Sequence, residues 1–224
     1  MLKDYQLFES DITISEDEVL RYLGYRSEIK NQEIGQIVSR EITGAYQLIS
    51  PRAVFSIKDV ISYGKNGVVR LNHRVEFNVG GDATEWQGLQ RLAIVICTIG
   101  GILEEQVDRL FAQGDPLRAL ILDATGSAAV EAVADEVNFL ICKEQKGKGR
   151  QVAARSSPGY GKWNLEEQKL FFSLLPAYEI HVRLNEQCMM LPRKSCSFCL
   201  AIGDKLAVVL NPCRRCSKKD CCYR

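Results

Sequence analysis

Arg155-Ser156-Ser157-Pro158-Gly159-Tyr160 places a permanent cation, a rigid turn and an aromatic ring in one short stretch. A guanidinium presents a planar fork of N–H donors that grips both oxygens of a carboxylate, and Pro-Gly lets the backbone come close to a ligand. A zwitterion such as an amino-acid moiety also needs an acid for its ammonium group. Glu131, Asp135 and Glu136 stand on the second half of the preceding Ala-rich segment. Tyr160 adds a ring face for stacking on a planar base or for attraction to a positive centre. The plainer alternative is that Arg155 pairs with a surface acid and Tyr160 packs.

The second chemical feature is sulfur. The chain has nine cysteines, and six of them fall in Cys196-x-x-Cys199 and Cys213-x-x-Cys216-x-x-x-x-Cys221-Cys222. Two residues between thiolates let both sulfurs face one ion, which suits a tetrahedral zinc site or an iron–sulfur cluster. Arg214, Arg215, Lys218 and Lys219 would offset the thiolate charge of Cys213, Cys216, Cys221 and Cys222. Reduced free thiols or a redox pair are the alternatives for this tail. Cys196 and Cys199 sit in a strand pattern, where side chains alternate, so they are expected to face opposite ways. Cys97, Cys142 and Cys188 have apolar neighbours and read as small buried hydrophobes. An odd count with no export signal argues against a disulfide framework.

Other chemistries find little support. The only histidines are His73 and His181, both inside strand-like patterns and neither beside a Ser or Cys nucleophile motif. Neither a dinucleotide-binding glycine pattern nor a P-loop occurs. A net charge of +1 over 224 residues removes the broad electrostatic case for nucleic acid. The N-terminus is polar, and no segment is apolar for long enough to span a bilayer, so the expected location is cytoplasmic.

The elements that must hold these groups follow from periodicity. Ser15-Glu-Asp-Glu18 is a capping-box-like helix start, and a second helix is expected over 32–48, ahead of Pro51. Residues 69–79 alternate apolar and polar, which predicts one half-buried strand with His73 on its apolar side. Gly80-Gly-Asp82 then turns the chain into a short helix over 83–89. Leu92 to Cys97 is apolar on both faces and reads as a buried strand. Two helices follow, over 102–111 and from Pro116 to about Lys143. Gly126 and Ser127 in the second would let another element approach closely. Lys143 to Arg150 is expected as a solvated loop. Asn164 starts another helix that Pro176 closes, and strands are expected over 179–185, 195–202 and 205–210, the last two joined by a Gly203-Asp204 hairpin. The expected fold is α+β: a single domain with a twisted, mainly antiparallel sheet packed by helices. Its expected organisation is an N-terminal helical arm over 1–62, an α+β core over 63–211 and a Cys-rich tail over 212–224.

Three separated segments also carry a resemblance, in chain order, between about Val68 and Asp204. The first is Gly114-Asp-Pro-Leu-Arg-Ala-Leu-Ile-Leu-Asp-Ala-Thr-Gly-Ser-Ala-Ala-Val-Glu-Ala-Val-Ala-Asp135. The second is Arg155-Ser-Ser-Pro-Gly-Tyr-Gly161, followed by Leu165-Glu-Glu-Gln-Lys-Leu-Phe-Phe-Ser-Leu-Leu175. The third is Leu184-Asn-Glu-Gln-Cys-Met-Met-Leu-Pro192 with Lys194-Ser-Cys-Ser197. Together they resemble the activation domain of cobalamin-dependent methionine synthase, and the chain lacks the parts of that enzyme that bind cobalamin, homocysteine and folate.

The resemblance implies a reactivation module acting in trans as a component of the methyltransferase. S-adenosylmethionine would supply a methyl cation equivalent to a cobalamin carried by the partner, either methionine synthase or another corrinoid protein. A one-electron donor such as a flavodoxin or ferredoxin would reduce the cobalt. By the same resemblance Arg155 grips the methionyl carboxylate, Ser156 and Gly159 offer backbone contacts, Tyr160 lies toward the cobalamin, and Glu131 helps hold the methionyl end. Where the family has an aromatic near the ligand, after its Ser-x-Ser strand, this chain has Leu200, and the family's N-terminal acidic contact has no clear match before Val68. The alternatives are a redox protein on the same scaffold, delivering electrons to a corrinoid protein through an Fe-S or Zn Cys cluster, and an interaction scaffold without ligand binding.

Overall fold

Leu92-Ala-Ile-Val-Ile-Cys97 has no polar face to give to water, and it becomes the central strand of the sheet. In the computed structural model, which describes residues 5–25, 32–64, 67–72, 75–79 and 86–206, this strand is β5 (Arg91–Thr98), buried over nearly its whole length. The other strands are β1 (Gln6–Glu9), β2 (Arg52–Tyr63), β3 (Val68–Leu71), β4 (Glu76–Asn78), β6 (Gln151–Val152), β7 (Arg183–Leu184), β8 (Met190–Leu191) and β9 (Ser195–Gly203). The order β4-β3-β2-β5-β9-β6 forms one sheet, with β1 added along β2, and every pairing is antiparallel. β7 and β8 form a separate two-stranded ribbon.

Side chains alternate across this sheet and build two cores. Ala53, Phe55, Ala93, Val95, Cys97, Phe198, Leu200 and Ile202 face a layer of four helices. These are α1 (Glu16–Tyr22), α2 (Gln32–Ala45), α3 (Ile102–Ala112) and α4 (Pro116–Gly147). Val54, Leu92, Ile94, Ile96, Cys199 and Ala201 face the opposite side, where Trp86, Trp163 and Phe171 close the second core. Phe171 belongs to α5 (Gln168–Leu174), which continues from a 3₁₀ turn at Leu165–Glu167 capped by the Asn164 side chain. The fold is α+β, with helices against a curled antiparallel sheet.

α4 is the positioning element. Asp115 caps it and Pro116 occupies its first turn, where a missing N–H costs nothing. Its small residues let neighbours pack closely: a Cβ on Gly126 would stand 2.7 Å from Leu103 Cδ2 of α3 and 3.2 Å from Lys194 Cε. Lys194 reaches Asp123 at 2.8 Å and Ser127 Oγ at 2.9 Å, and its backbone N–H donates to Glu104 of α3. The start of β9 is thereby clamped to both helices.

Several expectations change. The alternation over 69–79 is two strands, not one: β3 and β4 pair with Val69 opposite Phe77 and Arg70 opposite Glu76. A hairpin preserves the period of two on both arms, so alternation alone cannot reveal the turn. His73 lies outside the described residues. The helix expected over 83–89 begins outside them too, and Trp86 to Leu89 is a turn closed by Leu89 N–H to Trp86 C=O. The solvated loop expected from Lys143 is helical as far as Gly147. Residues 179–185 are not one strand: a 3₁₀ turn over Ala177–Ile180 ends at His181 in the left-handed conformation, and only Arg183–Leu184 is extended. Asp204 and Lys205 form a turn, and the strand expected after them lies beyond the last described residue, Leu206. The separate N-terminal arm over 1–62 is also corrected. β2 crosses that boundary and pairs with β5 in the middle of the sheet, while α1 and α2 pack on α4.

Candidate functional site

The Arg155 segment is held against the sheet from both sides. β6 pairs with the end of β9, and beyond it Ser156 and Cys199 exchange both backbone hydrogen bonds, at 3.1 and 2.8 Å. Residues 157–160 then make a turn closed by Tyr160 N–H to Ser157 C=O. Pro158 and Gly159 occupy its central positions, and Gly159 has φ of 89°. That fits a type II turn, whose third residue needs the left-handed region that glycine adopts freely. The Gly159 N–H is used within the segment, donating to Trp163 C=O at 2.9 Å.

From this anchor the Arg155 side chain crosses the helical face of β9 and meets α4. Nη2 lies 3.1 Å from Glu131 Oε2 and 3.0 Å from Asp135 Oδ1, two acids one helical turn apart. Its guanidinium also sits over the Phe198 ring, 5.4 Å from the centroid. Burial alone would lower the pKa of Arg155, but the charges of Glu131 and Asp135 outweigh it and hold the cation firmly protonated. Arg155 remains 28% exposed and Asp135 69%, so solvent reaches the triad. One cation and two carboxylates give the group a net charge of minus one. Tyr22 of α1 lies near enough that Glu131, after burial itself, pushes its phenol pKa up.

The structure therefore brings Glu131 and Arg155 into contact and puts Ser156 in the adjoining bridge to Cys199, with Gly159 and Tyr160 on the turn that follows. Tyr160 is 77% exposed. The backbone groups of Ser156 are engaged by Cys199, so the contacts left for a ligand are its hydroxyl and the Gly159 carbonyl. Leu200 is fully buried beneath the helices and lines no surface; the aromatic at this site is Phe198, two residues earlier on the same face. Phe198 and Tyr22 join the site only in three dimensions, whereas Asp135 already stood among the acids on the Ala-rich segment. The i, i+4 spacing of Glu131 and Asp135 was the one local sign of the shared helix face. Two open grooves, of about 580 and 420 Å³, lie elsewhere, lined by Tyr5, Pro176 and Tyr178 and by Gln151, Asp204 and Lys205 respectively. Neither is lined by Arg155 or Glu131, and the triad itself is open to solvent through Asp135.

The sulfur groups separate. Cys196 faces the helical core and Cys199 the other, fully buried, so Cys196-x-x-Cys199 cannot point both thiols at one ion. Among the described residues no cluster of three or more metal-ligating side chains occurs. Cys213, Cys216, Cys221 and Cys222 lie outside the described residues. Cys97 and Cys188 are buried and Cys142 is partly exposed. No helix among the described residues is long and apolar enough to cross a membrane.

No protein-family model and no curated protein matches the chain. A solved structure does: the crystal structure of the MetH reactivation domain bound to AdoHcy superimposes with a TM-score of 0.64, covering 92% of this chain and 80% of that chain at 14% identity. The likeness is one of fold.

Proposed function

We propose that this chain binds S-adenosylmethionine at the Arg155–Glu131 site and supports reductive methylation of a cobalamin carried by a separate methionine synthase or related corrinoid protein. The observation that carries the reading is the Arg155 guanidinium poised against Glu131 and Asp135 beside the Pro158-Gly159 turn. The shared fold supports it, because the reactivation domain of that fold was solved with AdoHcy.

The residues present fit the methionyl end of the ligand. Arg155 would take the carboxylate through its planar fork, releasing the exposed Asp135. Glu131, the less exposed acid, would take the ammonium. A sulfonium ligand with one carboxylate and one ammonium has a net charge of plus one, complementary to the triad. Phe198 lies under the Arg155 guanidinium, Tyr22 beside Glu131 and Tyr160 on the adjoining turn, whereas the buried Leu200 supplies no surface. When bound, the ligand provides a methyl cation equivalent for cobalt that a one-electron donor has reduced. The chain's share is to hold that methyl in line, the positioning contribution that makes such a transfer effectively intramolecular. Tyr160, projecting from the turn, would meet the corrinoid partner.

The test is calorimetric titration of the purified full chain with S-adenosylmethionine, repeated on Arg155→Ala. Saturable binding that the variant loses is the expected result. Absence of binding, or equal binding by the variant, would overturn the site. A second arm adds a cob(II)alamin-loaded partner and a reductant and follows methylcobalamin by absorbance; no increase over the partner alone would overturn the role in trans.

A further inference from the structure

Cys97 and Cys196 are 99 residues apart in the chain and stand directly opposite each other on β5 and β9. Both side chains face the helical core, and their sulfurs are 3.1 Å apart. That is closer than the roughly 3.5–4.0 Å of ordinary non-bonded carbon contact. Opposed residues of an antiparallel pair have Cα atoms about 4.5–5.5 Å apart, within the roughly 4.4–6.8 Å range that disulfides span. The flanking pairs, Ile96 with Ser197 and Thr98 with Ser195, are in regular register. Bond formation therefore asks for side-chain rotation and no strand movement.

We propose that Cys97 and Cys196 are a redox-active dithiol that undergoes exchange with low-molecular-weight disulfides and closes to a cross-strand disulfide. The two ends of the pair differ. Cys97 is fully buried, whereas Cys196 is partly exposed and provides the entry point. The hydrogen bond between the sulfurs and the burial of Cys97 push its thiol pKa well up, and the Arg155 cation offsets this in part. Cys196, the end that solvent reaches, therefore reacts first and the buried Cys97 second.

The Cys196 thiolate attacks one sulfur of the incoming disulfide, forming a mixed disulfide and expelling one thiolate. Cys97 then loses its proton and attacks the Cys196 sulfur, expelling the second thiolate. Two protein thiols are oxidised, one external disulfide is reduced to two thiols, and the protons leave with the products. Cys199, although it completes a Cys-x-x-Cys spacing, lies on the opposite face of β9 and cannot serve as the second sulfur.

The test uses the full chain, reduced, desalted and held under nitrogen with graded ratios of oxidised to reduced glutathione. Remaining thiols are alkylated and the digest is mapped by mass spectrometry without reduction. A Cys97–Cys196 linked peptide should rise with the ratio, at a yield independent of protein concentration, and disappear on adding a dithiol reductant. Cys97→Ser should accumulate glutathione on Cys196 by roughly tenfold over the wild-type chain, because the second exchange step is removed. Full alkylation of Cys97 and Cys196 under conditions that oxidise the tail cysteines would overturn the proposal. So would a Cys196–Cys199 link, or a yield that grows with protein concentration. If Cys97→Ser does not fold, the wild-type map alone decides.

Discussion

Arg155 and Glu131, separated by 24 residues in sequence, share a hydrogen bond of 3.1 Å, and Asp135 completes the pairing from the next helical turn. The cation that would grip a ligand carboxylate is thus already satisfied by two acids. Any anionic group must compete with them, and any cationic group gains from them.

That competition sets the variant series. Glu131→Gln removes the partner for an ammonium and is expected to weaken S-adenosylmethionine binding about tenfold or more, the equivalent of a charged hydrogen bond of about 1.5–3 kcal/mol. Asp135→Asn removes a competitor for Arg155 but also a negative charge that favours the cationic ligand; because Asp135 is exposed and solvent-screened, its effect should be smaller than that of Glu131→Gln. Arg155→Lys keeps the charge but loses the fork, and should bind distinctly more weakly than wild type. Titration of all three decides; equal affinity of Glu131→Gln and wild type would remove Glu131 from the site.

Gly203 is required by a close approach. A Cβ there would stand 2.1 Å from the Gly88 carbonyl oxygen, a backbone atom that cannot step aside. Gly203→Ala should destabilise the fold by about 1–3 kcal/mol, the usual cost of overpacking. It should also loosen β6, which pairs with Gly203 through Gln151. Urea denaturation of wild type and variant measures the first effect, and amide exchange at Val152 the second.

Phe171 packs edge-on to Phe77 at 5.6 Å and against Trp163 at 5.9 Å. It joins α5, β4 and the end of the Arg155 segment in one aromatic cluster. Phe171→Ala should cost about 3–5 kcal/mol, as deletions of buried aromatic rings do. Retained stability in urea would mean that this second core can collapse around the cavity.

Glu167 gives a pH signature. Burial raises its carboxyl pKa, with a backbone hydrogen bond at Asn78 pulling the other way, and its Oε2 has no hydrogen-bond partner among the described residues. Between the ordinary glutamate value and the raised one, the folded chain holds a proton that the unfolded chain has released. Stability must therefore fall as pH rises through that window. Thermal melts of Glu167→Gln should lack this decline, and a parallel pH profile for variant and wild type would show that the group is not perturbed.

The helices were the most legible part of the chain. Ser15, Asp115 and Asn164 cap the starts that their side chains suggest, because a cap is a bond within one turn. β5 and β9 were equally readable from their apolar runs. β2 was not: Ala53-Val-Phe55 is buried on both faces while Lys58 to Tyr63 is only partly buried or exposed, so no single period spans it. The β3–β4 turn was hidden because both arms keep the same alternation.

What the sequence determined by itself was local: the Pro158-Gly159 turn, the acidic face of α4, the apolar strands and the identity of the groups able to bind a zwitterion. Only the tertiary structure decided which groups meet. Arg155 reaches Glu131 because β6 and the Ser156–Cys199 bridge lay its segment along β9, across from α4. Cys196 faces Cys97 rather than Cys199 because strand register, which long-range pairing sets, overrides nearness in the chain.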